Sequence, residues 1–183
     1  MCFFLLARAF GDVQNSFGWL GTANDAVLAV QFLAMIPVAL ALPHWLPRTR
    51  SVRVATGMAL GAMLAAAVLQ PLLIAGVLNF DVQVVLVVAA FVLVYAWVFV
   101  VSSIGHRYDA LPRSVTRFGL LLGVSFPVGL LIMAAGLVLG LGVAFVSAVA
   151  WIGWLALPVW PLVLARLVFN KPPSFNSNQE GSS

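Results

Sequence analysis

Apolar residues run along this chain in long blocks, and the few charged residues stand between the blocks. No charge occurs between Asp25 and Arg48, between Arg53 and Asp81, or between Asp81 and Arg107. A hydrocarbon core of about 30 Å needs roughly 20 helical residues at 1.5 Å each, so each of these intervals holds one membrane span. The first span is expected at about 24–42, with Pro43 and Pro47 marking its exit, the second at about 54–77 and the third at about 83–104. Residues 118–165 also lack charge. One helix of that length would measure about 70 Å, more than twice the thickness of the core. That block therefore folds back, and the glycines Gly136, Gly140 and Gly142 are the best place for the turn, which gives spans at about 118–139 and 143–169.

The predicted fold class is thus all-α: a transmembrane helical bundle of about five spans, forming a single domain over residues 1–169. Residues 170–183, with paired prolines and little apolar content, read as a disordered cytoplasmic tail. Residues 1–10 are too few to cross the core, since ten residues make about 15 Å of helix. Three readings compete for them: an interfacial amphipathic segment seated by Phe3, Phe4 and Phe10, the end of a truncated sixth span, and a signal peptide that lacks the usual basic start.

Composition agrees with a bilayer as the solvent. The 183 residues are 63% hydrophobic and 8% charged, with a mean hydropathy of +1.12, whereas a soluble domain carries roughly 25% charged residues. The net charge of +4 is a topological signal. Arg48, Arg50 and Arg53 share one connection, Arg107, Arg113 and Arg117 share another, and Arg166 and Lys171 lie at the end of the last span. An alternating five-span path puts all eight on one side, which the positive-inside rule makes the cytoplasm. Asp12, Asp25 and Asp81 are left outside with Arg8, and the N-terminus is outside too. With no extended basic patch interleaved with aromatics, nucleic acid is not an expected partner; the lipid bilayer is, and the six loop arginines are candidates for anionic lipid headgroups. The single cysteine, Cys2, excludes an intrachain disulfide.

Candidate chemistry is sparse. Polar side chains inside a membrane are functional candidates by default, because placing one there costs on the order of a few kcal/mol. Asn24, Asp25, Gln31 and Gln70 fall in the outer halves of the first two spans and are the candidates for an ion or ligand. Tyr95, Ser102, Ser103, Ser125 and Ser147 complete the polar set. Thr22 and Asp25 also have the spacing of a capping box, with Thr22 as N-cap, which is the plainer reading of Asp25. Gln70 precedes Pro71 and is suited to stabilising a kink or an interhelical contact. The pairs Gly57/Gly61, Gly119/Gly123 and Gly136/Gly140 match the small-xxx-small pattern of close helix packing, within the chain or between copies in a homo-oligomer. Trp19, Trp45, Trp151 and Trp154 suit the interfacial aromatic belts.

No catalytic motif of the HExxH, Walker or GxSxG kind occurs, and no metal or cofactor is expected. His106 and Asp109, near Arg107 and Arg113, are the only grouping that would suit an enzyme acting on lipid at the cytoplasmic interface, and they read more simply as part of a lipid-contact surface. Three hypotheses follow: a structural, accessory or regulatory membrane protein, a small-solute or ion permease or channel subunit, and an interfacial lipid-modifying enzyme.

At Trp19-Leu-Gly-Thr-Ala-Asn-Asp25, at Leu69-Gln-Pro-Leu-Leu73 and at Leu157-Pro-Val-Trp160 the chain resembles families of bacterial multi-pass membrane proteins of about six spans that have no established activity. The resemblance implies an integral membrane bundle with one helix more at its start and carries no activity over to particular residues; a membrane protein partner is a separate expectation.

Overall fold

The structure, a computed structural model, describes residues 18–139, 157 and 159–166. Four long helices account for most of them: α1 (Gly18–Ala41), α2 (Arg50–Ile74), α3 (Phe80–Arg107) and α4 (Arg113–Val138). They have 24, 25, 28 and 26 residues, or about 36–42 Å of helix, and all four are long and apolar enough to cross a membrane. No strand occurs among the described residues. Each helix starts three to six residues before its expected span, because a helix continues into the headgroup layer where charged residues are tolerated; α3 also runs three residues past its span, while α1, α2 and α4 end one to three residues short of theirs. The expected tail, residues 1–10 and most of the fifth span lie outside the described residues. Residues 159–166 are helical.

The helix ends follow local chemistry. Thr49 caps α2, its hydroxyl accepting from the Val52 N–H at 3.3 Å, and Asn79 caps α3, its side chain accepting from the Asp81 N–H at 3.0 Å. At the end of α2, Gly76 adopts φ +70°. Its N–H reaches the Leu73 carbonyl and the Val77 N–H reaches Leu72, each at 2.9 Å, the Schellman closure that glycine makes without strain. The end of α3 repeats this closure with Asp109 at φ +48° and the Ala110 N–H bonded to Gly105 at 3.0 Å.

Consecutive helices pack antiparallel. Gln70 meets Gln83 and Thr56 meets Trp97 between α2 and α3, while Gly123 lies against Phe99, and Thr116 against His106, between α3 and α4. The α1–α2 and α3–α4 turns therefore share one end of the bundle, and the α2–α3 turn occupies the other. An aromatic cluster ties the middle together: Phe32 of α1 lies edge-on to Phe91 at 5.0 Å, and Phe126 of α4 stacks on Tyr95 at 4.7 Å and on Phe91 at 5.5 Å.

The distribution of polarity is that of a protein solvated by lipid. Val30, Leu33, Val68, Val85, Leu121 and Leu131 are exposed, while Thr56, Gln70, Gln83, Ser102 and Thr116 are buried. In hydrocarbon an outward Leu costs nothing and a polar group gains by turning inward to find a partner.

Candidate functional site

The polar interior has two parts. Near the end formed by the α2–α3 turn, Gln83 Nε2 donates to Gln70 Oε1 at 2.9 Å. Both side chains are buried, Gln70 completely. The helix that carries Gln70 continues past Pro71 to Ile74, so the proline sits in the last turn and the amide serves an interhelical contact. Gln70 Nε2 has no hydrogen-bond partner among the described residues.

Of the four candidates for an ion or ligand, the structure does not join Gln31 to Gln70. Gln31 is half-buried, and its Nε2 likewise has no partner among the described residues. Neither amide nitrogen therefore donates to the other side chain or to Asp25. The neighbouring residue Phe32 packs on Phe91, eight residues beyond Gln83 on α3, which places Gln31 about 12 Å deeper than the glutamine pair. Asp25 is half-buried within α1, and the side chain of Asn24 lies outside the described set. Helix α1 already runs at Gly18, four residues before Thr22, so Thr22 is not its N-cap and the capping-box reading of Asp25 is corrected. The error is physical: Thr22 lies inside the helix, where the backbone N–H groups that follow it are already bonded along the chain and leave nothing for an N-cap to satisfy.

The second part lies toward the other end. Trp97 Nε1 donates to Thr56 Oγ1 at 3.2 Å, linking α3 to α2. Trp160 packs edge-on against Trp97 with ring centroids 5.6 Å apart. Both indoles are buried in the protein interior. Sequence reading assigned no contact or role to Gln83, Thr56, Trp97 or Trp160. A faint signal existed for Gln83 alone, an amide three residues inside a long apolar helix.

At that end all six candidate arginines for lipid headgroups are exposed: Arg48, Arg50 and Arg53 at the α1–α2 turn, and Arg107, Arg113 and Arg117 at the α3–α4 turn. Arg107 lies 5.9 Å from the Tyr108 ring centroid. Arg113 pairs with Asp109 at 3.5 Å, with both side chains about 70% exposed, so the pair contributes little to stability. His106 Nδ1 lies 3.4 Å from the Thr116 hydroxyl, which also donates to the Arg113 carbonyl at 3.0 Å. His106 and Asp109 are thus both occupied in closing the α3–α4 turn. His44 Nδ1 lies 3.3 Å from the Ala41 carbonyl at the end of α1. Among the described residues no three His, Cys, Asp or Glu side chains form a metal-binding group.

The glycine pairs divide. A Cβ on Gly123 would stand 2.8 Å from the Phe99 Cα and 2.9 Å from its backbone nitrogen, so α3 and α4 approach closely at this glycine. Around Gly57 and Gly61 nothing among the described residues lies within 4 Å of an added Cβ. Gly136 is buried, and Gly140 lies outside the described set.

No family model matches this chain, and neither the curated proteins nor the solved structures contain a detectable relative.

Proposed function

We propose that this chain is a multi-pass protein of the cytoplasmic membrane with a structural, accessory or regulatory role, acting through its helix-packing faces and its basic end rather than through catalysis. The observation that carries this reading is the Gln70–Gln83 bond: the amide best placed to line a path is fully buried and bonded to its neighbouring helix. Its carbonyl oxygen is spent on assembly, as are the Thr56 hydroxyl and the Trp97 indole N–H. In this reading the end bearing Arg48, Arg50, Arg53, Arg107, Arg113 and Arg117 faces the cytoplasm and rests on anionic lipid headgroups, at about 1 kcal/mol per basic residue near the surface.

A small-solute or ion permease is the second reading, favoured by the amide nitrogens of Gln31 and Gln70 in the outer half of the bundle, which have no partner among the described residues. Reconstituted vesicles separate the two. Swelling in glycerol or urea and potassium conductance are expected at the level of empty vesicles. Flux above that level which falls on Gln31→Leu would replace the first reading with the second.

A further inference from the structure

Trp160 sits on a helical segment whose residues Leu157, Trp160, Pro161 and Leu164 are buried while Val159, Leu162 and Val163 are exposed. That spacing is one helical face laid against the bundle. Its largest side chain enters a notch made by an absence: at Gly119 of α4 an added Cβ would stand 2.5 Å from Trp160 Nε1 and collide with Ser102 Oγ of α3. The indole N–H and the serine hydroxyl therefore converge on one point. Both residues are essentially inaccessible, at 0% and 1%, and neither polar atom has a hydrogen-bond partner among the described residues. Trp97, which packs edge-on against the indole, has its own N–H committed to Thr56.

A donor and an acceptor that meet in a low-dielectric site with no other partner lose the full desolvation cost of each unless they pair. Both atoms lie against the same vacant Cβ position of Gly119, and a change of Ser102 χ1 between staggered rotamers reorients the hydroxyl there. We infer that the Trp160 indole N–H donates to Ser102 Oγ across Gly119, and that this bond is a latch fastening the segment 157–166 over α3 and α4. Gly119 is the specificity element: any side chain there expels the indole. The latch also places Trp160 at the junction of three helices, because Trp97 passes the contact on to Thr56 of α2. Its release would uncover small and hydrogen-bonding residues on α3 and α4, the composition by which membrane helices associate.

The test reads the indole directly. Indole ¹⁵N–¹H spectra of the full chain in lipid nanodiscs carry one signal per tryptophan, and Trp160→Phe assigns the signal of interest. Ser102→Ala is expected to move that signal to the position of a non-bonded indole and to speed its exchange with solvent deuterium about three-fold, the scale of one interhelical hydrogen bond in lipid. Ser103→Ala serves as the matched control, since the Ser103 hydroxyl donates to Phe99 of its own helix, and it is expected to leave the Trp160 signal in place. Gly119→Ala is expected to shift the Trp160 and Trp97 signals together. Because that variant risks misfolding, Ser102→Ala decides. A Trp160 signal unmoved by Ser102→Ala, or moved as far by Ser103→Ala, would overturn the latch.

Discussion

Gln83 of α3 donates to Gln70 of α2 at 2.9 Å, and on the same pair of helices, 14 residues further along each, Trp97 donates to Thr56 at 3.2 Å. Two polar contacts at matched positions on antiparallel helices set the register of α2 against α3. Apolar packing alone would leave that register weakly specified, because in lipid one Val or Leu surface resembles another.

The two members of the glutamine pair are expected to be unequal to their sum. Gln83→Leu leaves the Gln70 carbonyl buried without a donor and should destabilise the bundle by about 1–2 kcal/mol, whereas Gln70→Leu with Gln83→Leu should cost less than either single change. Reversible unfolding in mixed micelles measures this through a double-mutant cycle. If the double variant loses as much as the two singles added together, the bond does not couple the helices.

Glycine substitutions are expected to separate packing faces from open ones. Gly123→Ala drives a Cβ into the Phe99 backbone, which cannot yield as a flexible side chain would, and should cost about 1–3 kcal/mol. Gly61→Ala meets nothing among the described residues within 4 Å and should be neutral or stabilising by up to about 1 kcal/mol through helix propensity. The same unfolding assay in monomeric conditions checks both, and equal losses at the two positions would contradict the packing described.

Orientation is testable at exposed positions. On a Cys2→Ser background, Ser51→Cys and Ser114→Cys sit at the arginine-bearing end and Val77→Cys at the other, and all three positions are exposed. A membrane-impermeant maleimide applied outside intact cells is expected to label position 77 and spare positions 51 and 114. The reverse pattern would invert the proposed topology and move the lipid-contact surface to the outer leaflet.

Much of the architecture was legible in the chain itself. Charges spaced farther apart than a bilayer is thick mark where helices must run, so α1 to α4 lie within a few residues of the intervals read from them. Gln70 was legible as a packing amide because so few polar groups occur in its span. Its partner was not, since any amide on any neighbouring span satisfies the same one-dimensional pattern.

Hydrophobicity and charge, being sums over local residues, thus determined the helical class, the span positions and the segregation of arginines to alternate connections. The tertiary structure decided which faces meet. It used Gly119 and Gly123 for close approach and gave Gly57 and Gly61 no neighbour among the described residues, although all four occur in the same pattern. It also took Trp97 and Trp160 into the interior, where a sequence-only reading placed other tryptophans at the interfaces. The reason is that the energy separating one helix face from another in lipid resides in backbone approach and in paired polar atoms, and both depend on rotation and register that no single segment specifies.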